Sequence, residues 1–336
     1  MGLSQINDLD LENEKKSLNK LFECSDSFTS VVFNSGAGSG KTYALIQCLK
    51  YIISIHHHDL KNHNQKIGCI TYTNVTAEHI KHQLGGSDVV EISTIHERIW
   101  SIICSQKSAL LSLHIEKLKS EVDLLSNQLL SNSEYEKYRA LDAAAQERFF
   151  QLMQENKKKY NMAYNLKAAE FKAAMPEEIR LQYAELISNV SKFKGLVDKL
   201  FKRKRYLDCL CKIESGEKEY KVVNYDAMYN RDRLDKMRIS HDTLLEYGYE
   251  LIERYPRMRQ LIIDKYPYIL IDEYQDTADI VVKIMSLIEQ YAKQIKHDVF
   301  IAYFGDSVQN IYDAGVGKRL TRLHPELDFV LKEYNR

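Results

Sequence analysis

The stretch Ser35–Thr42, SGAGSGKT, constrains this chain more than any other, because three glycines in eight residues need a setting that uses them. Before it lies Thr29–Asn34 (TSVVFN), β-rich and short enough for a buried parallel strand. After it, Ala44, Leu45, Cys48, Leu49 and Ile52 recur at a helical period through Tyr43–Ile53. Strand, glycine loop and helix, in that order, form the setting of a phosphate-binding loop. Glycines let backbone N–H groups wrap phosphate oxygens, and the helix N-terminus adds partial positive charge. Ser35, Gly36, Ala37, Gly38, Ser39, Gly40, Lys41 and Thr42 are therefore expected to hold a nucleoside triphosphate. Lys41 would bridge phosphate oxygens and the Thr42 hydroxyl would ligate Mg²⁺. Ser35 stands where the pattern G-x-x-x-x-G-K-[ST] has its first glycine. The competing reading is a glycine-rich turn that binds nothing.

Bulk properties exclude other classes. The 336 residues suffice for two domains or one large one, and the scarcity of proline (four) and modest glycine (13) favour a helix-rich protein. Formal net charge is zero, so any nucleic-acid surface is local. No apolar run approaches the roughly 18 residues of a membrane span, and MGLSQINDLDLENEKK is too polar for a signal peptide. Gly2 fits the myristoylation pattern, but Ile6 does not. Six cysteines without a C-x-x-C pair read as reduced, mostly buried thiols of a cytoplasmic protein. His56–His58 and His63 read as a polar loop after a helix rather than a metal site.

Four further segments say what the nucleotide is for. Ile67–Asn74 (IGCITYTN) and Val89–His96 (VVEISTIH) are strands ending in polar residues. Tyr268–Thr277 (YILIDEYQDT) delivers adjacent carboxylates from an apolar strand, and Val299–Tyr312 (VFIAYFGDSVQNIY) delivers Gly305-Asp306 and then Gln309. Asp272, at a strand's C-terminal end, can hold Mg²⁺ opposite Thr42. Glu273 can take a proton from, and orient, an attacking water. A helix N-cap pair is the structural alternative for the two carboxylates.

With SGAGSGKT, these segments resemble motifs I, Ia, Ic, II and III of the UvrD/Rep group of superfamily one helicases, in order, over most of residues 29–103 and 238–313. Ile239–Thr277 also resembles the helix and strand that lead into motif II there. The resemblance implies a RecA-like parallel sheet and ATP as the nucleotide, with Lys41, Asp272, Glu273 and Gln309 catalytic. Gln275 would then sit with Gln309 near the γ-phosphate. It also implies that Tyr72 and Asn74 contact single-stranded DNA, Tyr72 by stacking, and that Thr94 and His96 touch the DNA backbone. Core packing is the alternative for Tyr72. Two departures stand out. Asp313–Gly317 lacks the family's aromatic and arginine stacking platform, which leaves more of the stacking to Tyr312, and LENEKKSLNK lacks its adenine-reading glutamine.

About 175 residues separate His96 from Asp272. Leu111, Ile115, Leu118, Val122, Leu125 and Leu129 form a heptad seam, expected to close as an antiparallel hairpin with helical Ser131–Tyr160 or to pair between molecules. Pro176 marks a fresh helix start. Ser191–Arg205 gathers Lys192, Lys194, Lys199, Lys202, Arg203, Lys204 and Arg205 against Asp198 alone. Nucleic-acid contact through Lys202, Arg203, Lys204 and Arg205 competes with a merely solvated face. The sequence stops at LDFVLKEYNR, which resembles the start of motif IV, and motifs V and VI are missing.

The expected architecture is thus α/β, a P-loop RecA-like parallel sheet flanked by helices from residues 1–103 and 262–336. Residues 104–261 form a mostly α-helical insert carrying the hairpin and the basic stretch. The expected function is an ATP-dependent DNA helicase or translocase, 3′ to 5′ by resemblance, using ATP and Mg²⁺ on single-stranded or partly duplex DNA. It would need a second RecA-like domain or partner subunit, and residues 1–336 alone would turn over weakly. The alternative is a nucleotide-gated DNA-sensing module recruiting a nuclease partner, as in helicase subunits of bacterial anti-phage systems such as Gabija. Neither reading involves a membrane.

Overall fold

The described residues form eight strands: β1 Val31–Asn34, β2 Ile67–Thr71, β3 Val90–Thr94, β4 Asn224–Tyr225, β5 Arg238–Ile239, β6 Tyr268–Ile271, β7 Phe300–Gly305 and β8 Asp328–Leu331. The computed structural model describes residues 8–36, 40–228, 230–306, 316, 319–325 and 327–331. Six strands form one parallel sheet in the order β3-β2-β6-β7-β1-β8. The central strands β2, β6 and β7 are buried along their whole length, which is why they read as continuous apolar runs rather than alternating ones. Alternation still sorts their side chains between faces. Val31, Phe33, Cys69, Leu270, Ala302 and Phe304 pack with Leu45, Leu49 and Ile52 of the helix Lys41–Asn62. On the other side Ile70 and Ile269 meet Ile99, Ile252, Ile284 and Ile288 from three helices. The result is an α/β sheet flanked by helices.

The chain divides into two compact units, Met1–Gln106 with His241–Arg336, and Lys107–Ser240. The expected boundary at 261 falls later than this division. Helices His241–Arg254 and Pro256–Lys265 pack against the helix Asp279–Ile295, so they belong with the sheet. The histidine run is not a loop either. Helix Lys41–Asn62 continues through it because buried Leu60 prolongs the apolar stripe and the His56 ring packs 5.4 Å from that of Tyr268. His57 and Lys61 both pair with Asp88, at 3.1 and 3.0 Å. Among the described residues no His, Cys, Asp and Glu cluster suits a metal ion, and no helix is long and apolar enough to cross a membrane. Cys24, Cys48, Cys69 and Cys209 are buried, and all six cysteines are free thiols.

A buried polar cluster underlies the sheet. Tyr303 Oη lies 3.0 Å from His324 Nδ1, His324 Nε2 bonds Glu289, and Lys293 approaches the same carboxylate at 3.3 Å. Burial alone would raise the Glu289 pKa, but the His324 hydrogen bond and charge bring it below the ordinary value.

In the second unit the heptad helix Lys107–Ser131 takes a different partner from the one expected. Its buried residues Leu118, Val122, Leu125 and Leu129 face the helix Val190–Glu214, which runs antiparallel to it. Residues 131–160 instead break into short pieces, with Asp142 capping the helix Ala143–Glu155. Their aromatics Tyr135, Tyr138, Phe149 and Tyr160 cluster with Phe171, Phe193 and Phe201. Aromatic packing at this density outweighs the few tenths of a kcal/mol that separate helix-forming residues.

Candidate nucleotide and DNA site

In an all-parallel sheet every strand ends on the same edge, and ligands bind where those ends meet the following loops. Across that edge the strand order places Thr94 at the end of β3, Tyr72 just past β2, Asp272 and Glu273 past β6, Asp306 past β7, and Ser35 past β1. Adjacent strands lie about 4.8 Å apart, so motifs distant in sequence become neighbours.

The Ser35 N–H donates to the Gly305 carbonyl at 3.0 Å, carrying the β1–β7 ladder one residue into the loop. Gly40 adopts a left-handed conformation (φ 87°, ψ 29°), the one loop position described where a side chain would be strained. It turns the chain into the helix that starts at Lys41, and no acidic residue occupies that helix's first turn. The exposed N–H groups and the partial positive charge there are left for an anion. Thr42 is half-buried in the same turn. Ala37, Gly38 and Ser39 lie outside the described residues, as do Gln309 and Tyr312.

Lys41 is nearly buried, and its Nζ lies 3.1 Å from Glu273 Oε2. The same carboxylate oxygen accepts from Gln275 Nε2 at 2.6 Å, while Gln275 Oε1 accepts from the Asp306 N–H at 3.1 Å. This orientation of the amide satisfies both neighbours, and the opposite one neither. Glu273 holds a left-handed backbone (φ 49°, ψ 50°), a strained conformation for a side chain of its size and one that concentrates at functional sites. An alanine Cβ at Gly305 would collide with Gln275 Oε1 and the Tyr274 ring. Gly305→Ala is therefore expected to displace Gln275 and destabilise this unit by about 1–3 kcal/mol. A urea midpoint unchanged from wild type would show that the strand end tolerates the methyl group.

Asp272 is 2% exposed, and its Oδ1 is buried without a hydrogen-bond partner. Burial, reinforced by the Glu273 charge, pushes its pKa up to about 7, despite a backbone hydrogen bond and Lys41 acting the other way. A buried, unpartnered carboxylate oxygen fits a divalent cation: the metal would satisfy it and favour its ionised form. With the Thr42 hydroxyl, the donors are the hard oxygens Mg²⁺ selects.

The profile of the UvrD/REP helicase N-terminal domain matches residues 18–314. The chain belongs to this family. The UvrD/REP domain here is 46% identical over 336 residues, all of this chain, to the Gabija protein GajB of Bacillus cereus (strain HuB5-5), covering 49% of that protein. It is 26% identical over 289 residues (83% of this chain) to the ATP-dependent DNA helicase Rep of Buchnera aphidicola subsp. Baizongia pistaciae (strain Bp), covering 33% of that protein. The chain thus spans about half and a third of these relatives.

The DNA-contact candidates of this UvrD/REP domain fare unequally. Tyr72 is 50% exposed and so is not a core tyrosine. Asn74 is exposed, and the capping of its helix falls to Thr73, whose Oγ1 accepts from Thr76 N at 3.2 Å. Thr94 already caps the helix Ile95–Ile103 in a reciprocal box with Glu97. The His96 ring centroid lies 4.5 Å from that of His241, and burial together with His241 lowers its pKa. His241 and Asp306 lie inside the segments that carry the resemblance, and neither is among the candidate site residues above.

The basic stretch does not present four free cations. Lys202 pairs with Glu121 at 3.1 Å, Arg203 Nε donates to Ser126 Oγ at 2.7 Å, Lys204 pairs with Asp208, and Arg205 approaches Asp235 at 3.6 Å. Ion pairing within the helical unit thus offsets three of these four charges, and Arg203 bonds a neutral hydroxyl.

Proposed function

We propose that this chain is the ATP-binding half of a UvrD-type motor, in which hydrolysis drives 3′-to-5′ movement along single-stranded DNA. The observation that carries this reading is the Lys41–Glu273–Gln275–Asp306 chain beside the unpartnered oxygen of Asp272. Thr42 and Asp272 would hold Mg²⁺, which neutralises phosphate charge and orients the triphosphate. Lys41, drawn from Glu273 to phosphate oxygens, leaves the Glu273 carboxylate without its cation and able to accept a proton from the attacking water while Gln275 still bonds it. Gln275 then reports the change to Asp306 through the bond it already makes, and Tyr72 supplies a stacking face that grips any base. A second RecA-like domain, in the same chain or a partner, completes the cleft.

A DNA-sensing subunit that recruits a nuclease in anti-phage defence is the second reading, favoured by the identity to the Gabija protein GajB over the whole chain. Steady-state ATP hydrolysis separates the two, measured on the chain joined to the half its relatives carry, with and without single-stranded oligonucleotide. A motor is expected to speed up with DNA. Turnover indifferent to DNA would sink the motor reading and leave the sensor.

A further inference from the structure

The helical unit contains a second cationic feature, outside the basic helix and not paired off. Arg231, Arg233 and Arg238, with Asp226 and Ile239, line a cavity of about 150 Å³. All three arginines are exposed, and among the described residues none has an ion-pair partner. The cause is not a shortage of carboxylates. Asp226 Oδ1 accepts from the Met228 N–H at 3.0 Å, Asp232 Oδ1 from the Ser240 N–H at 2.7 Å, and Asp235 faces Arg205 at 3.6 Å. Every aspartate of the segment is committed elsewhere, and three positive charges face one negative.

The backbone holds this arrangement rigidly. Arg233 and Arg238 exchange both N–H···O bonds, each 3.1 Å, and so stand directly opposite one another in an antiparallel bridge. Side chains so placed have Cβ atoms about 5 Å apart, and like charges there are destabilising. Met237, buried and left-handed (φ 55°), closes the turn between them, and β4 pairs with β5 on the adjoining side. The Leu234 carbonyl lies 3.0 Å from His114 Nε2, which ties the turn to the helix Lys107–Ser131. Two opposed arginines with a third on the same cavity concentrate positive charge that a bound anion would offset. The planar guanidinium fork matches phosphate oxygens in pairs, and a volume below the ~300–1,000 Å³ of small-molecule pockets suits one charged group.

We infer that Arg231, Arg233 and Arg238 form a phosphate site that holds one phosphodiester group of a nucleic-acid strand. This rests on the reading of the chain as a DNA-handling protein, which favours a nucleic-acid strand over an acidic peptide.

The test compares wild type with R231Q/R233Q/R238Q, binding a fluorescent oligothymidylate across a salt titration. The triple variant is expected to bind about tenfold to a hundredfold more weakly, as the loss of one charge-assisted contact predicts. Its log–log salt dependence should be flatter by about 0.7, the value for one phosphate of a single strand. Tyr72→Ala, which removes stacking, should weaken binding with the slope kept. Arg233→Gln alone should melt at or above the wild-type temperature, because it relieves a like-charge opposition. An unchanged slope in the triple variant overturns this site and leaves the DNA reading standing, whereas wild type that binds no oligonucleotide overturns both. A substantial drop in melting temperature on Arg233→Gln, or displacement of the oligonucleotide by polyglutamate at equal charge, would also overturn it.

Discussion

Glu273→Gln is expected to lower ATP turnover of the active assembly by ~10²–10⁴-fold, the usual contribution of a positioned general base, with nucleotide affinity undiminished. The substitution is nearly isosteric. Its amide oxygen can still accept from Gln275 Nε2, which now bonds Glu273 at 2.6 Å, so the link onward to Asp306 survives. What disappears is the carboxylate that accepts the proton and that holds Lys41 at 3.1 Å. Without that pairing Lys41 is freer to meet phosphate, so affinity should hold or rise. Equilibrium titration with a fluorescent ATP analogue and single-turnover hydrolysis read the two effects separately. Turnover within a few-fold of wild type would remove Glu273 from the role of base.

Lys41→Ala acts on binding instead. In wild type, ATP with Mg²⁺ at a hundred times its Kd should stabilise the fold by about 2.7 kcal/mol. The variant loses a charge-assisted contact worth about 1.5–3 kcal/mol. It also leaves Glu273 without its cation, and removes one of the groups that restrain the upward shift at Asp272. At the same ATP concentration the stabilisation then falls to about 0.3–1.3 kcal/mol, and the shift in melting temperature shrinks to half of the wild-type value or less. Differential scanning fluorimetry with and without ATP and Mg²⁺ measures it. A shift equal to wild type would place the nucleotide elsewhere.

The helix Val190–Glu214 shows what composition leaves out. Its row of lysines and arginines reads as a nucleic-acid stripe because the sequence lists charges without their partners. Folding brings Glu121, Ser126 and Asp235 to that helix from other segments, and Asp208 from its own next turn. The segment Asp226–Ile239 carries as many aspartates as cavity-lining arginines and looked unremarkable, yet its aspartates are consumed by backbone groups and by Arg205. Net local charge depends on who is paired, and pairing is tertiary.

What the sequence determined by itself is the set of strand ends and their chemistry. Glycine conformational freedom, apolar runs of strand length and a Lys-Thr pair at a helix start act within a dozen residues, so SGAGSGKT, DEYQDT and GD each declare their local structure without the rest of the chain. The parallel sheet follows too, since strands buried on both faces read as unbroken apolar runs. Tertiary structure alone decided which ends became neighbours, and hence that Lys41 holds Glu273 and that Gln275 reaches the Asp306 backbone. It alone gave the heptad helix a partner beginning some sixty residues beyond its own end, and buried Glu289 against His324 and Tyr303. Side-chain charges act over a few ångströms and carry no record of sequence distance, so contacts between remote segments become legible only once the backbone has brought them together.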